Sequence, residues 1–221
     1  MRFSESGKRE VHRYNEQRLI EEIVYEDGTS RRYGYSKENE RILEEDRRGG
    51  VTRWGYDGYG RKVYEEKADG FTRHWEYDGA HDLVREWDSE GRETRKEYDR
   101  ERNLVHQKEW MGREGWKETF FRYDEKGRIR VIRDGRGRET LYRYEERGAY
   151  PRRVITPKGE ETVYEYDKAG RRVAVSNPYG RAEFSYNSRN FITKRRDGEG
   201  NTSRWIYDQM GHLESYYPAK Q

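Results

Sequence analysis

Read as a string of apolar and polar positions, the chain alternates with a period of two over short stretches and resets about every 21 residues. The landmark of each reset is a tyrosine: Tyr14, Tyr35, Tyr56, Tyr77, Tyr98, Tyr123, Tyr144, Tyr166, Tyr186 and Tyr207. Two residues before it stand His12, Tyr33, Trp54, Trp75, Lys96, Phe121, Tyr142, Tyr164, Phe184 and Trp205, mostly aromatic, and four before it a small hydroxyl residue recurs, as at Thr52, Thr94, Thr119, Thr140, Thr162 and Ser203. The positions between are largely charged. Residues two apart share a face of a strand, so this segment is predicted to be a strand with one aromatic face. Six or seven residues after the tyrosine aliphatics return, at Val63, Leu83, Leu104, Ile129, Val173, Ile192 and Leu213, which predicts a second strand. The expected sheet has one aromatic and aliphatic face and one wet face.

The residues between these strands are turn residues. Asp follows the tyrosine at Asp57, Asp78, Asp99, Asp124, Asp167 and Asp208, and glycine stands four after it at Gly60, Gly127, Gly148, Gly170 and Gly211, often with Arg next. A second glycine precedes the tyrosine by seven, as at Gly7, Gly28, Gly70, Gly91, Gly137, Gly159 and Gly200. Asp can hydrogen-bond its own downstream backbone and Gly can take positive φ, so each unit carries two tight turns and is a β-hairpin. Hairpins joined this way give an all-β chain, one array over residues 1–221, forming a curved or spiral strip that is a partial or single-turn shell. About 20 strands at roughly 4.8 Å span about 95 Å, or about 30 Å across if closed in one turn. A 100-residue domain has a radius of gyration of about 13 Å, so the chain is not expected to enclose a folded domain alone. The end strands of such a strip are unpaired edges, and their predicted partners are further repeats or a second copy, which makes a homo-oligomer.

Composition sharpens this. Only 30% of residues are hydrophobic and 41% are charged, which would suit a disordered chain, yet net charge is +3 and aromatics reach 14%, with 20 Tyr and 6 Trp. Rings are therefore buried or stacked. The 47 basic residues interleave with 44 acidic ones, and no Lys/Arg block exceeds three, so no concentrated positive face for nucleic acid is expected. There is no cysteine. No apolar run reaches membrane-spanning length and the N-terminus has no signal-peptide core, so export would use a route not encoded here. His12, His74, His81, His106 and His212 fall at unrelated phases without metal-ligand spacing. The recurring Asp residues are turn residues rather than one acid–base constellation, so neither enzyme activity nor a cofactor is expected. The longest interval, Tyr98 to Tyr123, carries an insertion with Trp110, Met111 and Trp116, the best candidate for a specific partner contact.

Tyr-Asp, two residues, Gly-Arg, aliphatic, repeated at this period, resembles the Rhs or YD-repeat family of bacterial polymorphic toxins, toxin-complex shells and teneurins. The resemblance runs from about Gly7 to Tyr217 and implies a β-strip wound into a hollow shell around a protein cargo, in a bacterial secreted or cell-surface setting. The C-terminal core motif of shell closure is not found, and no toxin domain follows Tyr217, so the chain reads as a piece of shell or an unusually short member of the family. The alternative is a carbohydrate-binding or adhesive module whose glycan stacks on the aromatic face.

Overall fold

The computed structural model describes residues 2–3 and 9–219; Gly7 lies outside them. The chain divides into two compact units, Met1–Glu118 and Thr119–Gln221. The first holds β1 (Arg2–Phe3), β2 (Arg9–Tyr14), β3 (Ile20–Tyr25), β4 (Ser30–Tyr35), β5 (Arg41–Glu45), β6 (Val51–Tyr56), β7 (Lys62–Glu66), β8 (Thr72–Tyr77), β9 (Leu83–Asp88), β10 (Glu93–Tyr98) and β11 (Leu104–Trp110). The unit boundary falls within β12 (Trp116–Tyr123). The second unit continues with β13 (Ile129–Asp134), β14 (Glu139–Tyr144), β15 (Pro151–Ile155), β16 (Glu161–Tyr166), β17 (Arg172–Asn177), β18 (Gly180–Tyr186), β19 (Ile192–Asp197), β20 (Thr202–Tyr207) and β21 (Leu213–Tyr217). A single 3₁₀ turn, Gly112–Glu114, is the exception to an all-β chain among the described residues.

Within each unit, successive strands pair antiparallel, and the substantial strand–strand contacts join sequence neighbours. The alternation of the sequence sets the register. Tyr33 lies opposite Glu44, Trp54 opposite Glu65 and Trp75 opposite Glu86, which fixes one aromatic face, while Arg32 lies opposite Glu45 and Arg53 opposite Glu66 on the other.

Within each unit the burial is that of a single layer. The accessible surface is 16488 Å², against about 10800 Å² for a compact monomer of this mass. Only Val131, Ala174, Asp88 and Ser203 are buried among the described residues. The rings are half-buried by strand neighbours instead of by an opposing layer, so cross-strand pairs, each contributing about 0.2 to 1 kcal/mol, are the unit of stabilisation.

The two faces differ from the expected division into apolar and wet. In the first unit His74 sits between Tyr64 and Trp87 on the face opposite the tryptophan ladder, with ring centroids 5.0 Å away on each side and only 5° between the His74 and Trp87 planes. The aromatic face, in turn, carries Glu44, Glu65 and Glu86. In a single layer neither face is shut from water, so charge need not segregate to one side.

Candidate functional site

The repeated turn is built by its first Asp. In Asp57–Arg61 the N–H of Asp57 donates to the Arg61 carbonyl (3.0 Å) and that of Gly60 to the Asp57 carbonyl (3.0 Å). Asp57 Oδ1 accepts the N–H groups of Tyr59 and Arg61, and Oδ2 accepts Arg61 Nε at 2.7 Å. Asp124–Arg128 and Asp167–Arg171 repeat the arrangement. The turns at the other ends of the strands use it too, at Asp88–Arg92 and Asp134–Arg138. The fourth residue after the tyrosine is left-handed: φ is +73° at Gly60, +73° at Gly127, +78° at Gly170 and +92° at Gly211. Five repeats hold a side chain there, Arg18, Asn39, His81, Arg102 and Asn190, with φ of 64° to 69°. Gly148, in the 22-residue interval, lacks the positive φ.

The tyrosine stands beside a register shift in all ten repeats. Tyr56 is opposite Lys62 while Gly55 is opposite Tyr64, leaving Val63 as an extra residue on the following strand. The same offset occurs from Tyr14 to Tyr207. A β-bulge bends its strand and interrupts the ladder, leaving backbone groups in need of partners. The next tyrosine supplies one. Tyr35 Oη donates to the Ile20 carbonyl (2.7 Å), Tyr56 to Arg41 (3.0 Å), Tyr77 to Lys62 (3.1 Å) and Tyr98 to Leu83 (3.0 Å). In the second unit Tyr144 donates to Ile129, Tyr166 to Pro151, Tyr186 to Arg172 and Tyr207 to Ile192. Each acceptor is the residue opposite the preceding tyrosine at its bulge, so within each unit the pattern's most regular residue ties each of these eight repeats to the one before.

The fifth residue after the tyrosine adds a second tie. Arg61 lies over the Tyr77 ring and Arg128 over Tyr144, each 4.4 Å from the centroid, and Arg171 over Tyr186 at 5.1 Å. In two repeats without the Arg a ring takes its place: Phe191 stacks on Tyr207 at 4.9 Å, and Tyr150, one residue later in its longer repeat, on Tyr166 at 5.5 Å. Arg128 Nη1 also donates to the carbonyls of Glu145 and Gly148 in the next turn. On the aromatic face of the first unit, Arg41 lies over both Tyr33 (5.6 Å) and Trp54 (4.9 Å), and Lys62 over both Trp54 (5.6 Å) and Trp75 (5.7 Å). Glu44 and Glu65 neutralise these cations. Trp54 and Trp75 thus each have a cation against the ring.

The electrostatics follow from these bonds. The Arg61 side chain holds the Asp57 carboxyl below its ordinary range, Arg128 does so at Asp124, and at Asp167 the Arg171 backbone N–H leads. Burial pushes Tyr35, Tyr56, Tyr98, Tyr144 and Tyr166 up, which keeps them protonated donors.

Trp110 and Trp116 face each other at the end of the longest hairpin, ring centroids 5.3 Å apart, with Met111 beside them and all three partly exposed. Arg95 lies over Trp116 at 5.1 Å. Among the described residues no His, Asp or Glu cluster could hold a metal ion, and no helix is long and apolar enough to cross a membrane. Sequence reasoning missed the bulge and the bond to a carbonyl 14 or 15 residues back; the recurring Arg after the turn glycine was its available signal for the second tie.

The sequence profile of the Teneurin YD-shell family matches residues 56–220, about three quarters of the chain. No curated protein matches it. Among solved structures, the fold is similar to a chain of the TcdB2-TccC3-TEV crystal structure, with a TM-score of 0.71 at 15% identity over 95% of this chain. A second TcdB2-TccC3 crystal structure gives 0.56 at 13% identity over 96%. The Photorhabdus luminescens Tc holotoxin pore gives 0.53 at 12% identity over 96%. The chain spans 12%, 14% and 16% of the length of those three solved chains.

Proposed function

This chain belongs to the Teneurin YD-shell family, and on that premise we propose that it is a stretch of non-catalytic shell wall that helps enclose or present a protein cargo outside the cell that makes it. The observation that carries the reading is the tyrosine tie. The recurring chemistry of the repeat is consumed within the array: the Asp carboxylate closes its own turn, and the Tyr hydroxyl and Arg guanidinium join one repeat to the next. Such a chain offers a wall whose properties add repeat by repeat, since each unit interacts chiefly with its neighbours. The half-open faces are those of a layer that meets other protein, and the Trp110–Met111–Trp116 tip is the proposed point of specific contact.

The test is solution size, by light scattering coupled to small-angle scattering. The expected result is a hollow particle larger than the 26.9 kDa chain, formed as strand edges pair; a compact monodisperse monomer would overturn the wall reading. Double substitution of Trp110 and Trp116 by Ala is expected to shift the assembly towards monomer without unfolding it, and an unchanged particle would remove the tip from this role.

A further inference from the structure

On the face opposite the aromatic ladder, the first unit closes its charges into pairs. Glu22 sits between Arg13 and Arg32, the latter 3.1 Å away, Arg32 reaches Glu45 at 3.6 Å, and Arg53 reaches Glu66 at 3.4 Å. Even where two cations oppose each other, as Arg85 and Arg95 do, Glu93 lies between them, 2.6 Å from one and 2.8 Å from the other. In the second unit Arg143 opposes Arg153, and Arg153 is drawn off by Glu161 at 2.9 Å.

Lys194 and Arg204 break this rule. They are direct cross-strand partners on β19 and β20, and among the described residues neither has an ion pair. Arg196, on the same face two residues from Lys194, has none either. Its opposite residue, Glu183, is taken by Arg181 at 3.2 Å, and Arg181 also holds Glu165 at 2.8 Å. Like charges directly opposite each other disfavour a sheet. Three uncompensated cations therefore lie together, Arg196 and Arg204 exposed, with Ile206 and Tyr217 beside them at 46% and 55% exposure. The imbalance extends to the whole unit: Thr119–Gln221 carries 22 Lys and Arg against 15 Asp and Glu, net +7, while the rest of the chain carries 25 against 29, net −4, giving the overall +3.

We propose that the β19–β20 face formed by Lys194, Arg196 and Arg204 is a docking site for an extended acidic polypeptide segment. The charge complementarity names the partner. Carboxylates two residues apart lie on one side of an extended chain, matching Lys194 and Arg196, which are also two apart on one side of a strand. Ile206 and Tyr217 supply apolar contact for the side chains between. A nucleic acid fits less well: a phosphate polymer draws its affinity from many neutralised phosphates, and this patch has three cations bounded by Glu183 and Glu165. The site is read from these charges and does not depend on the wall reading.

Fluorescence anisotropy with the intact chain tests it, using a labelled peptide of alternating Glu and Ser, at low and raised salt, beside a single-stranded oligonucleotide of equal charge. The peptide is expected to bind, more weakly at raised salt. Lys194→Gln combined with Arg204→Gln is expected to weaken it roughly tenfold while raising the thermal midpoint, because the like-charge pair is gone. Equal loss of charge at the exposed turn residues Arg136 and Arg147 should change neither by as much. No peptide binding, binding untouched by the double substitution, a midpoint that falls with it, or an oligonucleotide bound as tightly as the peptide would each overturn the proposal.

Discussion

Tyr98 shows what one residue contributes. Its half-buried ring carries a hydroxyl that satisfies the Leu83 carbonyl at 3.0 Å. Tyr98→Phe keeps the ring and removes the donor, so it should cost about 1 kcal/mol in urea unfolding with little change in slope. The left-handed turn position gives the opposite sign. Arg18 holds φ of 64°, and a side chain in that region costs roughly 1–2 kcal/mol. Arg18→Gly should therefore raise stability by about 1 kcal/mol, and Gly170→Ala should lower it by a similar amount; thermal melts of the two variants would check both signs. The turn carboxylates set the pH response. Asp57, Asp124 and Asp167 have folded values below the ordinary one, so their contribution is complete above about pH 4 and is lost as pH falls through the depressed values. Melts should be nearly flat from neutral pH to about pH 5 and fall steeply below about pH 4. Replacing Asp57 and Asp124 by Asn should flatten that fall.

At the scale of the element, the bulge decides how a hairpin meets its neighbour. Val63 is the residue without an opposite number between Lys62 and Tyr64. Because side chains alternate, deleting it forces every later residue of β7 to the other face or shifts the strand against β6. It also displaces the Lys62 carbonyl that Tyr77 holds at 3.1 Å. The deletion should cost several times as much as Tyr98→Phe, with exchange-detected opening concentrated in β6 to β8, since stability in such arrays is carried by neighbouring units. Gly55 belongs to the same device. A Cβ there would stand 3.2 Å from Tyr64 Cβ, so glycine lets the Tyr64 side chain lie across the strand, towards His74.

At the scale of the molecule, the large exposed surface and the scarcity of buried residues belong together. A single layer cannot stabilise itself through a core, and here its stability comes from ties repeated within each unit: hydroxyl to carbonyl, guanidinium to ring, and carboxylate to guanidinium. Such a layer tolerates long runs of charged sequence because its charges remain near water and many have a cross-strand partner. The unpaired cations of β19 and β20 stand out against that background, and solution size reports whether the layer completes itself by assembly.

The period, the all-β class and the two turns per unit were determined by the sequence alone, because they depend on residues within a few positions of one another: Asp57 with Arg61, Gly60 with its own φ. The family was legible for the same reason. What only the tertiary structure decided are the features set by cross-strand register. The bulge at Val63, the reach of Tyr77 to a carbonyl 15 residues back, and the seating of Arg41 between Tyr33 and Trp54 all depend on which residue lies opposite which. Alternation along one strand says which side a residue faces, but its partner across the gap is fixed only when the turns and bulges have set the offset between strands.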